Sequence, residues 1–114
     1  QVRTLITQDY ARAFEQVDCI LAPVSPRTAF EFGEIGDPTE MYLSDMFTIS
    51  INIAGNGGMS VPVGIGRDTG LPIGAQLVAP AFQDRAMMRL AAAIERLYGE
   101  APVAPGFADG KAGE

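Results

Sequence analysis

At 114 residues the chain is the size of one small domain or of a part of a larger one, and its 47% hydrophobic and 19% charged residues describe a globular protein with no apolar run long enough to span a bilayer. A formal charge of −6 argues against direct binding of nucleic acid by this segment, because phosphate recognition needs clustered Lys and Arg. With no histidine, one cysteine (Cys19) and one lysine (Lys111), an internal disulfide is impossible, a zinc or copper site is disfavoured, and no Ser-His-Asp or Cys-His arrangement can be assembled from this chain alone.

The chain opens on an amphipathic pattern. Val2, Leu5, Ile6, Ala13, Phe14 and Val17 recur at helical spacing with Tyr10 beside them, which predicts a helix over 2–17 whose other face carries Arg3, Asp9, Arg12 and Glu15. Cys19 to Val24 is apolar at nearly every position, as expected of a strand covered on both faces and typical of a parallel sheet. Pro23 and Pro26 end it, and Ser25 to Gly36 reads as a loop. Asp37-Pro38-Thr39-Glu40 has the chemistry of a helix start: an acidic cap, proline at the first helical position and a glutamate placed to complete a capping box. That helix is expected to run from Pro38 to about Thr48, with β-branched Ile49 and Ile51 weakening the helical case beyond it.

Gly55-Asn56-Gly57-Gly58 breaks the chain, and two strands follow, Met59 to Ile65 and Ile73 to Ala79, joined as a hairpin through the turn residues Arg67-Asp68-Thr69-Gly70. Pro62 and Pro72 cannot donate to a ladder, so they belong at an edge, a strand end or a bulge. The last helix carries the stripe Met87, Leu90, Ala91, Ile94, Leu97 and Tyr98 and stops at Gly99; Gln83 is the expected cap, Asp84 suits the first turn, and Phe82 with Met87 could form a hydrophobic staple. Beyond Glu100 the composition is Ala, Pro and Gly-rich, and residues 100–114 are expected to be a disordered tail. The order helix, strand, helix, hairpin, helix makes a thin sheet, and a chain that opens on Gln1 in mid-helix reads as a piece of a larger protein.

Four stretches in order resemble the amidase-signature family. They are Asp18-Cys19-Ile20-Leu21-Ala22-Pro23-Val24-Ser25-Pro26; Asp37-Pro38 through Met41-Tyr42-Leu43-Ser44-Asp45-Met46-Phe47-Thr48; Asn52-Ile53-Ala54-Gly55 with Met59-Ser60-Val61-Pro62-Val63-Gly64; and Gly70-Leu71-Pro72-Ile73-Gly74-Ala75-Gln76-Leu77-Val78-Ala79. The stretch from Asp37 to Thr48 is similar to the branch of the family that supplies ammonia to the tRNA-dependent amidotransferases. Asn56-Gly57, Val63 and Gln83 depart from the family's usual residues.

The resemblance implies that residues 1–99 are the C-terminal part of an α/β/α sandwich with a mixed sheet. It also implies glutamine hydrolysis by a Ser–Ser–Lys triad in the intact protein. The ammonia would pass to a B subunit, which uses ATP and magnesium to amidate glutamate on misacylated tRNA, with a small C subunit completing a heterotrimer that converts Glu-tRNA(Gln) to Gln-tRNA(Gln). The cytoplasm is the expected location.

No residue here matches the triad: Ser25, Ser44, Ser50 and Ser60 have no lysine near them in sequence, so no catalytic residue and no bound cofactor or metal is expected in this segment, which alone should be inactive. Asp45 matches by position the acidic residue that resembles the family's reader of the glutamine α-amino group. Its competing reading is a solvated surface acid, although an acid near a helix C-terminus runs against the macrodipole, and local rules tend to break at functional sites. Gly55, Gly57 and Gly58 fail as a phosphate loop because no Gly-Lys-Ser/Thr follows and a strand comes next. Two further readings of function stand beside the first: a stand-alone amidase for small or aryl amides, and a non-catalytic docking module.

Overall fold

The computed structural model describes residues 1–101, 103–105 and 107. Helix α1 spans Val2–Phe14, strand β1 Ile20–Pro23, helix α2 Pro38–Ser44, helix α3 Met46–Ala54, strand β2 Gly57–Ile65, strand β3 Pro72–Ala79 and helix α4 Asp84–Tyr98. The strands form one sheet of order β1-β3-β2 in which both pairings are antiparallel.

The central strand is β3, and Gln76, Leu77, Val78 and Ala79 are all buried. Side chains alternate between the faces of a strand, and the neighbours of two adjacent glycines identify those faces. A methyl on Gly57 would meet Met87 of α4, whereas a methyl on Gly58 would meet Ile51 of α3. Helix α4 therefore covers one face and α3 the other, and α1 lies against α3 through a bond between Tyr10 Oη and Ser50 Oγ of 2.7 Å. The α4 face holds the core: Val61, Leu77 and Ala79 against Met87 and Ala91, with Cys19, Met59 and Ile94 at its margin. Helices on both faces of a sheet are the α/β/α layering expected from the sequence; within this chain the sheet is antiparallel throughout.

Several expectations need correction. Among the described residues the strand at Ile20–Pro23 pairs only with β3, antiparallel, and Leu21 is 62% exposed, so the doubly covered strand is β3 and not β1. Helix α1 ends at Phe14; its half-buried face is Ile6, Tyr10, Ala13 and Phe14, while Val2, Leu5 and Val17 stay exposed. The helix opened by Asp37 does not run to Thr48. It ends at Ser44, and a further helix takes the chain from Met46 to Ala54, so Ile49 and Ile51 are helical after all; packing of Ile51 against the sheet overrides its β-branched preference.

Asp37 does cap, accepting from Thr39 N–H at 2.9 Å, but the returning bond from Glu40 is absent among the described residues. On α4 the buried stripe narrows to Met87 and Ala91, and the staple does not form, because Phe82 is 96% exposed and sits at φ 65°. Gln83 is the cap residue by position, without a side-chain bond. The hairpin and its prolines follow expectation: Pro62 stands at a register irregularity of the edge strand β2, and Pro72 opens β3. Most of the expected tail, including Lys111, lies outside the described residues.

Candidate functional site

A cleft of about 770 Å³ opens where three segments meet. The first wall is the loop that leaves β1, from Val24 to Phe30; the second is the junction of α2 and α3, with Ser44, Asp45 and Thr48; the third is the β2–β3 turn from Gly66 to Thr69 with the start of β3. Two of these walls grow directly out of the sheet, and the α2–α3 junction is laid across it.

Asp45 is the hinge of that junction. It is at once the residue that ends α2 and the residue that precedes α3, at φ −96° and ψ 2°. Its backbone is fully engaged. The N–H donates to the Tyr42 carbonyl at 3.2 Å, and its own carbonyl accepts from Thr48 N–H at 2.9 Å and Ile49 N–H at 3.2 Å. The Thr48 hydroxyl donates to that same carbonyl at 3.0 Å. Its carboxylate has no partner among the described residues. A side-chain N-cap bond favours an extended backbone, and ψ near zero denies Asp45 that geometry, so the carboxylate makes no cap bond to α3 and is exposed on the cleft wall. The break in the helix also changes how the dipole acts on it: the negative charge faces the unfavourable end of α2 and the favourable start of α3 together. What marks Asp45 is a fixed backbone carrying a free charge at a cleft.

The other charged groups on the cleft differ in availability. Arg27 is held by Glu34 at 2.6 Å and lies 5.7 Å from the centre of the Phe30 ring. Glu34 also accepts from Glu31 N–H at 2.7 Å, and this backbone bond, followed by the Arg27 guanidinium, lowers its pKa. Arg67 and Asp68 make no ion pair among the described residues. Sequence reasoning missed this cleft role of Arg67 and Asp68, for their only signal was turn chemistry; that the turn closes over the Ser25–Phe30 loop is a tertiary fact.

The serines are dispersed: the Ser44 hydroxyl donates to the Met41 carbonyl at 2.6 Å, and Ser50 is bonded to Tyr10. Only Ser25 and Ser44 line the cleft. No group of three or more His, Cys, Asp or Glu side chains that could hold a metal ion is gathered among the described residues. Cys19, at the core margin, has its thiol pKa raised by burial. No helix among the described residues is long and apolar enough to cross a membrane.

The cleft gathers Ser25, Ser44 and Asp45 with Arg27, Arg67 and Asp68 at one end of the sheet. The model of the family described as Amidase matches residues 1–88, and the chain belongs to that family. It is 55% identical to the A subunit of glutamyl-tRNA(Gln) amidotransferase from Corynebacterium glutamicum over 96 residues, which are 83% of this chain and 19% of that protein. It is 50% identical to the A subunit from Acidothermus cellulolyticus over 101 residues, 88% of this chain and 20% of that one. Among solved structures, the A subunit from Thermotoga maritima superposes with a TM-score of 0.79 at 44% identity, covering 83% of this chain and 21% of that one. A 6-aminohexanoate cyclic dimer hydrolase shares the fold at a TM-score of 0.78 and 23% identity, over 91% of this chain and 24% of its own. The chain thus spans about a fifth of the length of the curated relatives it matches.

Proposed function

We propose that this chain is the C-terminal part of the glutamine-hydrolysing subunit of a tRNA-dependent amidotransferase, and that Asp45 binds the α-ammonium group of glutamine. The observation that carries the first half is the 46–55% identity to A subunits of glutamyl-tRNA(Gln) amidotransferases. The free carboxylate of Asp45 on a rigid backbone supports the second half.

In this reading the Ser–Ser–Lys triad lies in the part of the protein outside this segment and cleaves the side-chain amide. Asp45 holds the other end of the substrate. An ammonium group satisfied by a fixed carboxylate through a short charge-assisted bond contributes roughly 1.5–3 kcal/mol. That separates glutamine from amides that lack the amine. Ammonia then passes to a B subunit, which uses ATP and magnesium to convert Glu-tRNA(Gln) to Gln-tRNA(Gln), with a C subunit in the complex and the cytoplasm as its place of work. The acidic balance of this segment keeps tRNA contacts for other parts of the assembly.

The test is steady-state glutaminase kinetics of the intact complex, wild type against Asp45→Ala, with an amide lacking the α-amino group as control. The expected result is a fall of about ten-fold or more in kcat/KM for glutamine, confined to glutamine. Equal activity of the two proteins on glutamine would make Asp45 a bystander and favour a general amidase acting on small or aryl amides.

A further inference from the structure

We infer that Gln76 is a positioning residue for glutamine recognition, fixing Asp45 at the cleft through the first turn of α3; this rests on the proposed role of Asp45. Gln76 is the sole buried polar or charged side chain among the described residues, 4% exposed, on the central strand beside Leu77, Val78 and Ala79. Burying an amide at such a position carries a desolvation cost that a Leu or Met of similar size would avoid. Its amide is used once at long range: Nε2 donates to the Phe47 carbonyl at 2.9 Å, across 29 residues of sequence.

The place of that bond in the structure gives it its function. Three side-chain bonds hold α3 to other elements among the described residues. Two come from α1, Tyr10 with Ser50 at 2.7 Å and Arg3 to the Ile53 carbonyl at 3.1 Å, and they act on the middle and the last turn of the helix. The bond from Gln76 is the one that comes from the sheet, and it acts two residues from Asp45. The other two cleft walls also arise from the sheet, at the end of β1 and at the β2–β3 turn. Gln76 therefore sets the placement of the Asp45 wall relative to the walls it faces. Without it, α3 keeps its ties to α1 and the Ile51 contact but loses its one side-chain hydrogen bond from the sheet, at the end where Asp45 sits.

The experiment is a double-mutant cycle in the intact complex with Asp45→Ala, Gln76→Met and both together, measuring kcat and KM for glutamine and for an amide lacking the α-amino group. The expected result for Gln76→Met is a KM for glutamine raised at least three-fold with kcat within two-fold, no comparable rise for the control amide, and no further loss when Gln76→Met is added to Asp45→Ala. A lower kcat on both amides without a change in KM would mean that Gln76 only supports folding, and an unchanged KM would likewise overturn the inference. Where Gln76→Met does not fold, Gln76→Asn, which keeps the amide on a side chain shorter by one methylene, is expected to give the same KM split. If Asp45→Ala itself leaves glutamine use intact, the proposed function fails; if Asp45→Ala impairs it and neither Gln76 variant does, only the positioning role fails.

Discussion

On the α4 face of the sheet, Val61, Leu77 and Ala79 meet Met87 and Ala91 in one apolar cluster, whereas on the opposite face Val78 and Ile51 are buried and α3 also takes a side-chain hydrogen bond from Gln76. The α2–α3 segment beside the cleft keeps Met41, Tyr42, Leu43 and Met46 exposed. The first face is held by burial, which is non-directional and costly to disturb. The other adds a directed bond to a smaller apolar contact, and it is the one that carries Asp45. On that face four hydrogen bonds fix the Asp45 backbone, and Gln76 ties Phe47, two residues on, to the sheet.

The contrast can be broken from either side. The largest effect is expected at Leu77, which is 0% exposed: Leu77→Ala should lower the stability of the intact protein by about 2–5 kcal/mol, read as a shift in denaturation midpoint. On the α3 face, Gly58→Ala places a methyl 2.6 Å from Ile51 Cδ1, the tip of a side chain that can yield. The expected cost is about 1 kcal/mol. A loss as large as that of Leu77→Ala would mean the two faces are packed equally tightly.

The smallest effect concerns the exposed loop of the cleft. The pKa of Glu34 is lowered by the Glu31 N–H and by Arg27, so its contribution to loop order is present above the ordinary value of 4.5 and is lost as pH falls through the lower folded value. A carboxyl titration by NMR should place its midpoint below 4.5, and Arg27→Ala should move it back up.

The sequence made some of this legible and some of it not, for identifiable reasons. The β2–β3 hairpin, the Asp37 cap and the end of α4 at Gly99 rest on local chemistry, and local chemistry decides them. Asp45 was legible as a residue through its neighbours in the Tyr42–Thr48 stretch, but its setting was not. Nothing in Leu43-Ser44-Asp45-Met46-Phe47 breaks a helix by composition, so the division into α2 and α3 is visible only in the structure. For the same reason Ile49 and Ile51 looked unfavourable for a helix that packing then stabilises. The run Cys19–Val24 is apolar throughout, yet β1 is an edge strand of this sheet and Leu21 is exposed, because apolar composition does not say which strand is central. Gln76 stood in the sequence only as one residue of the Gly70–Ala79 stretch, and its burial and its bond to Phe47 are tertiary facts.

The central claim is that the charge of Asp45, and not merely its bulk, selects the substrate. The direct measurement is the ratio of kcat/KM for glutamine to that for an amide without the α-amino group, compared between wild type and Asp45→Asn in the intact complex. The side chains are nearly the same size, so folding and cleft shape should be preserved. A ratio reduced about ten-fold or more in Asp45→Asn, with the denaturation midpoint unchanged, is the expected result. An unchanged ratio would contradict the account and leave Asp45 as a solvated acid at a helix junction.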